Sequence, residues 1–431
     1  MGIQGESLPD APLAAHLRIR RSRIPRCVVK QRTAETRDRV SRPCPLSTQR
    51  LWNIKGGTMK ILYAASTWQH LLHFHIPYIQ ELRRRGHVVH AAAGGKPLAF
   101  PYADQAVSLP LKKKMTAPGN FRAARRLSKR IWAEGYDLVA VHTSLAAFFV
   151  RLAVRMAGTG CPVCNTVHGY LFDAQTPFLK RKVLLEAEKY MASVTDTVVV
   201  MTREDYGIAR ENRLFQRQLF YLPGMGVDFS RFPQITPLLR REARERLGYG
   251  DEDFVLVFAA EFSTRKNQAM LIRAMAQLPP RVKLLLLGDG ALLEECRQLA
   301  LQQKTADRIR FEGYQRDTAA YYAGADICVS SSRSEGLPFN LMEAMGMGLP
   351  VIATNVKGHA DLVEPGRNGL LVPFGDAAAF AGAVRDLLEN PSKAELYGGN
   401  NLAVRDAYTL ETVLPQHIAL YESFAHSEGE R

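Results

Sequence analysis

The chain is 431 residues long, 46% hydrophobic, and carries a formal net charge of +15; that length exceeds what one hydrophobic core usually serves, so two domains are expected. No apolar run reaches the roughly 18 residues that span a bilayer, and the nearest, residues 145–157, is broken by Arg151 and Arg155. Six cysteines, two of them within the first 44 residues, show no disulfide framework, which points to a reducing cytoplasm rather than export.

Residues 1–58 hold twelve Lys or Arg against four acids, a net +8 that leaves only +7 for the other 373 residues. A basic, Pro-interrupted arm suits a nucleic-acid or membrane tail. It fails as a signal peptide, because no uninterrupted apolar core follows its charges. The better reading begins the protein at Met59, where Met-Lys-Ile-Leu-Tyr-Ala-Ala-Ser is an apolar first strand. Codons for Lys55-Gly56-Gly57 can spell a purine-rich ribosome-binding sequence just upstream, so residues 1–58 are expected to be a disordered or untranslated leader.

From Met59, strand-like runs at 61–65, 88–93, 138–142, 163–168 and 198–201 alternate with helix patterns near 75–85, 120–134, 145–157 and 177–193. Continuous apolar strands separated by helices predict a parallel sheet covered on both faces. After the first strand stand Ser66-Thr67-Trp68-Gln69-His70 and His73-Phe74-His75-Ile76-Pro77. Lys112, Lys113 and Lys114 with Arg122, Arg125, Arg126, Lys129 and Arg130 form a dense basic patch. It reads either as a surface for anionic lipid headgroups, worth about 1 kcal/mol per charge, or as a solvated helix face. Nucleic acid fits less well, since only Phe121 and Trp132 supply aromatics there. Cys161-Pro-Val-Cys164 enters an apolar strand and reads as packing, because a redox or metal pair belongs at a helix start or beside a second pair. His168 ends a strand in Asn165-Thr166-Val167-His168-Gly169-Tyr170; a lone histidine there is either a satisfied core residue or a group facing a ligand.

A Pro-bearing stretch, residues 232–237, reads as a linker, and a second series of strands follows at 255–259, 282–287, 309–312, 327–330, 351–353 and 370–372. The predicted architecture is α/β, two doubly wound Rossmann-like sheets in tandem with a cleft between their strand carboxyl ends. Asp251-Glu252-Asp253 has an Asp-x-Asp spacing known to bind metal, but it occupies a polar turn before a strand and reads as solvated. Arg265 and Lys266, in Glu261-Phe262-Ser263-Thr264-Arg265-Lys266-Asn267-Gln268, stand where such a sheet delivers ligands. Two cations there oppose the dipole of the helix they open, which disfavours a purely structural reading. Gly288-Asp289-Gly290 lets a backbone approach closely.

The most informative stretch is Ser334-Glu335-Gly336-Leu337-Pro338-Phe339-Asn340-Leu341-Met342-Glu343. Pro338 can open a helix, which puts Glu335 on the preceding loop and Glu343 about a turn and a half inside. Both carboxylates then flank one helix N-terminus, where a diphosphate is favoured and a carboxylate can accept from a sugar diol.

This pattern resembles the Glu-x7-Glu signature of retaining glycosyltransferases of family 4, and the likeness runs from Met59 to Tyr421. The resemblance implies a GT-B fold with residues 59–232 on the acceptor side, 233–408 binding the nucleotide sugar, and a helix in 409–431 crossing back to the first domain. It implies a donor site in which Arg265 and Lys266 hold the diphosphate without a metal, Glu343 the ribose, and Glu335, with Gly336 and Leu337, the donor sugar. His168 would face that sugar from across the cleft. Residues 66–70 replace the family's glycine-rich loop, as in the subgroup of polysaccharide and capsule assembly. The expected reaction moves a hexose or N-acetylhexosamine from a UDP donor to a lipid-linked saccharide, in the cytoplasm at the anionic inner leaflet, with no cofactor and no nucleic acid. Two rivals stand beside it: a UDP-sugar epimerase, which would need no acceptor, and a non-catalytic binding subunit that keeps the fold.

Overall fold

A computed structural model describes residues 57–95, 100–112 and 114–425. The predicted leader lies outside them except for Gly57 and Thr58, as do Lys113 and residues 426–431.

Among the described residues, β1 (Lys60–Thr67), β2 (Val88–Gly94), β3 (Gln105–Leu109), β4 (Leu138–His142), β5 (Val163–Val167), β6 (Thr197–Val200) and β7 (Gln218–Tyr221) form a parallel sheet in the order β3-β2-β1-β4-β5-β6-β7. Strands β4, β5 and β6 are buried at every position, which is why they read as unbroken apolar runs. The edge strands β3 and β7 are partly exposed and carry no such run, so sequence pattern alone misses them. The covering helices are α1 (Trp68–Phe74), α2 (Ile76–Arg84), α3 (Pro118–Glu134), α4 (Ser144–Ala157), α5 (Phe178–Ala192) and α6 (Arg203–Glu211). Helix α1 follows β1 directly: the Thr67 hydroxyl caps it by accepting from His70 N at 3.2 Å.

The second sheet follows α7 (Pro237–Leu247) and contains β8 (Phe254–Ala259), β9 (Val282–Leu287), β10 (Ile309–Phe311), β11 (Ile327–Ser330), β12 (Val351–Thr354) and β13 (Gly369–Val372), in the order β10-β9-β8-β11-β12-β13. Its helices are α8 (Gln268–Met275), α9 (Leu293–Gln302), α10 (Ala319–Gly324), α11 (Phe339–Gly346), α12 (His359–Leu362), α13 (Ala377–Glu389) and α14 (Pro391–Val404), and α15 (Leu410–Glu422) ends the fold. Each sheet reverses its winding beside its first strand: Tyr63 of β1 lies opposite Ala91 and Ala140, and Val257 of β8 opposite Leu285 and Cys328. Ligands bind outside the strand carboxyl ends at such switch points.

The predicted linker is anchored rather than free. Phe229 and Phe232 are buried, the Phe232 ring packs on Tyr322, and Ile235 N donates to Met347 O. One apolar cluster joins the sheets, running from Ile61 and Tyr63 through Met225 and Phe229 to Leu341 and Met345. Helix α15 lies on α2: the Tyr421 ring meets Tyr63 edge-on at 6.1 Å, Glu422 pairs with Arg85 at 2.9 Å, and a His417 ring N–H donates to Gly224 O at 3.0 Å. No described helix is long and apolar enough to cross a membrane.

Candidate active site

A cleft of about 1170 Å³ opens at the carboxyl ends of both sheets. His70, His168, Gly169 and Lys180 line it from the first sheet; Arg265, Lys266, Gly288, Glu335, Gly336, Leu337 and Glu343 line it from the second. Every predicted site residue thus faces one space.

Glu335 is the centre of its charge. Arg265 Nη1 donates to Glu335 Oε2 and Lys266 Nζ to Glu335 Oε1, each at 2.6 Å. Backbone contacts lock the two loops: Arg333 N donates to Arg265 O at 2.7 Å, Ser331 Oγ to Lys266 O at 2.8 Å, and Glu335 N to Lys357 O at 3.2 Å. Burial by itself would raise the Glu335 carboxyl, but Lys266 and Arg265 hold it down at about 2. Burial lowers the Lys266 ammonium, against the pull of Glu335. Two cations therefore face one carboxylate, and the Arg265 side chain, 49% exposed, keeps part of its guanidinium open to the cleft. The two cations precede α8 instead of lying in it, because Asn267, left-handed at φ 51°, starts the helix after them.

Glu343 is the fifth residue of α11, which begins directly after Pro338. Tyr322 Oη donates to Glu343 Oε2 at 3.1 Å. Burial pushes the Glu343 carboxyl up to about 7, opposed by Tyr322 and Arg231. The two glutamates of the signature thus have opposite electrostatics: one is firmly ionised, the other balanced near neutrality.

His168 follows β5 and meets the Glu335 loop through backbone. A Cβ at Gly336 would fall well inside van der Waals contact of His168 O, and one at Gly358, at φ 82°, would collide with Gly336 O. Only glycine lets these three segments close together.

Residues 77–223 match the family described as "Glycosyl transferase 4-like domain", and residues 253–390 match "Glycosyl transferases group 1". The putative glycosyltransferase EpsD of Bacillus subtilis is 34% identical over 366 residues, covering 82% of this chain and 95% of that protein. The chain belongs to the group 1, family 4 glycosyltransferases. An Escherichia coli relative named UDP-Gal:alpha-D-GlcNAc-diphosphoundecaprenol alpha-1,3-galactosyltransferase is 27% identical over 60% of this chain and 68% of its own length. Anabaena HepE, in a crystal structure with UDP and glucose, shares the GT-B fold with a TM-score of 0.69 at 22% identity over 85% of this chain and 99% of that one.

Behind His168 the glycosyltransferase holds a histidine cluster that its sequence spacing does not reveal. His142 Nδ1 lies 3.2 Å from His168 Nε2, the His70 ring stands edge-on to His168 at 5.0 Å, and His75 Nδ1 lies 2.8 Å from Tyr63 Oη. Burial lowers all four histidines, His70 to about 4, so the rings are neutral at physiological pH. One ring nitrogen each from His70, His75 and His168 lies within 4.8 Å of the others, which makes the three a candidate set of metal ligands. The available signal was positional: His142 ends β4, His168 follows β5, and His70 and His75 follow β1.

The remaining candidates resolve simply. Asp251 and Glu252 are exposed, and Asp253 Oδ2 accepts from Gly250 N at 2.9 Å, closing a solvated turn. Cys161 and Cys164 are buried, and burial pushes the Cys164 thiol well up, as suits packing in β5. Arg122, Arg125, Arg126 and Lys129 are exposed on α3, whereas Arg130 is engaged by Gln105 and Glu134.

Proposed function

We propose that this glycosyltransferase moves a hexose or N-acetylhexosamine from a UDP-sugar to a lipid-linked saccharide, with retention and without a metal on the diphosphate, in exopolysaccharide, capsule or cell-envelope glycan synthesis. The observation that carries this reading is the sharing of Glu335 by Arg265 and Lys266 at the floor of a cleft that Glu343 also lines. An incoming diphosphate competes with Glu335 for the same two cations. Once they turn to phosphate, the Glu335 lone pairs are released to accept from the donor sugar's hydroxyls, while Glu343 accepts from the ribose and His168 faces the sugar from the other side. Gly336 and Leu337 complete the donor wall.

The bond from the anomeric carbon to the phosphate oxygen breaks as Arg265 and Lys266 stabilise the charge left on the diphosphate. The acceptor hydroxyl then adds on the same face, and its proton passes to the departing phosphate oxygen. The choice of UDP and of a lipid-linked acceptor draws support from the E. coli relative's name and from the UDP-bound Anabaena structure. In this reading residues 59–232 hold the acceptor, 233–408 the donor, and the enzyme works in the cytoplasm at the anionic inner leaflet.

The test is thermal stability of the chain with UDP, GDP, ADP and their sugar conjugates, beside Glu343→Ala. A ligand at about a hundred times its Kd adds roughly 2.7 kcal/mol. Stabilisation by uridine compounds alone, lost in the variant, is the expected result. No shift with any nucleotide would favour a binding subunit that keeps the fold.

A further inference from the structure

Three large apolar side chains at the start of α5 stand in water. Phe178, Leu179 and Val183 are 79%, 73% and 62% exposed, and the intervening Lys180, Arg181 and Lys182 are exposed as well. Six consecutive helical residues exposed on every side mean that this end of α5 projects past the sheet; the fully buried residues of the helix, Met191 and Ala192, are at its other end. A projecting helix end in a protein surrounded only by water is expected to be polar.

We propose that the tip of α5 docks the enzyme on an anionic bilayer, with Phe178, Leu179 and Val183 entering the boundary between headgroups and acyl chains and the three cations meeting lipid phosphates. Charge selects this occupant over a second copy of the chain: no acid occurs between Asp173 and Glu186, so the three exposed cations of the tip have no acidic neighbour in that stretch. The exposed basic residues of α3 belong to the same helical layer, since α3 and α5 both pack on α4. Continuity with the cleft gives the docking its use. Exposed Leu171, with Pro177 and Lys180, lines the cleft mouth, so a bilayer seated on α5 lies beside the path of an acceptor that stays in its membrane. That last point rests on the lipid-linked acceptor proposed above.

The experiment is co-sedimentation of the full chain with phosphatidylglycerol and with phosphatidylcholine vesicles, for the wild type and for Phe178→Ser, Leu179→Ser and Val183→Ser combined. Because all three side chains are exposed, the variant should melt as the wild type does, and its stabilisation by UDP should be unchanged. Preferential binding to phosphatidylglycerol that falls at least about tenfold in the variant is expected. Equal binding by variant and wild type overturns the proposal. So does no binding by the wild type, or a wild-type dimer that the variant dissociates without loss of vesicle binding. Docking lost with the UDP shift intact separates this inference from the donor reading; vesicle binding without any UDP shift would sink only the donor reading.

Discussion

Lys357 and Asp205 form a buried ion pair between the two halves of the molecule, with Nζ 3.0 Å from Oδ1. Lys357 Nζ also donates to Tyr170 O at 3.2 Å, the Thr202 hydroxyl donates to Asp205 Oδ2 at 2.8 Å, and Lys357 O accepts from Glu335 N. The residue that fastens the second sheet to α6 therefore also holds the loop carrying the central carboxylate. Burial raises the Asp205 carboxyl, and Lys357 opposes it. Lys357→Met leaves that carboxylate buried without its counter-charge, held only by neutral donors such as the Thr202 hydroxyl, and is expected to cost about 3–5 kcal/mol. Replacing Asp205 with Leu in the same chain should recover most of the loss. Thermal melts of the wild type, both single variants and the double variant measure it; a double variant no more stable than Lys357→Met would dismiss the pairing as the cause.

Lys266→Ala is expected to lower kcat by about 10²–10³, the scale of losing one preorganised charge donor. The fold should survive, because Glu335 keeps Arg265 as its partner. Turnover with a UDP-sugar, measured beside circular dichroism, decides the matter, and a well-folded Lys266→Ala enzyme with near-normal activity refutes the assigned role.

Glu343 predicts a pH dependence with a definite sign. Its carboxyl is raised to about 7 by burial, so the folded protein favours the protonated form; that stability is present below the ordinary carboxylate range and is lost as pH rises through about 7. Ribose hydroxyls donate to the ionised form, so donor binding should release a proton and tighten as pH rises across neutrality. UDP-glucose suits the measurement because its diphosphate is a diester with nothing titrating there. Calorimetry in buffers of different ionisation enthalpy should show proton release by the wild type and none by Glu343→Gln.

Gly336→Ala places a methyl group against His168 O. Overpacking of this kind costs about 1–3 kcal/mol, and relief requires the Glu335 loop to retreat from the first sheet. Reduced melting temperature together with a lower kcat/KM is expected. A variant matching the wild type in both would mean that the two segments stand further apart in solution.

Metal independence at the diphosphate is checked with a chelator. Transfer should persist in excess EDTA, and Asp251→Asn with Asp253→Asn should leave it unchanged, since neither residue lines the cleft that holds Glu335. A requirement for added divalent cation would assign the diphosphate to a metal instead of to Arg265 and Lys266.

The sequence by itself determined the doubly wound character of both sheets and the start of α11. Strands buried on both faces leave unbroken apolar runs, and Pro338 marks a helix start that sets Glu335 outside and Glu343 inside. It could not mark β3 and β7, whose partial exposure breaks the pattern, nor α1, which starts from the Thr67 cap. Only the tertiary structure decided that Arg265 and Lys266 share Glu335 across 70 and 69 residues, that Lys357 reaches Asp205 across 152, and that four histidines from three strand ends lie together. Both glutamates of the signature are buried, and the partners then separated them: Lys266 and Arg265 hold Glu335 at about 2, while burial raises Glu343 to about 7. The physical reason is the same throughout: local periodicity records which side of an element is buried, whereas partners on loops are chosen by strand order, which brings distant carboxyl ends of strands to one cleft.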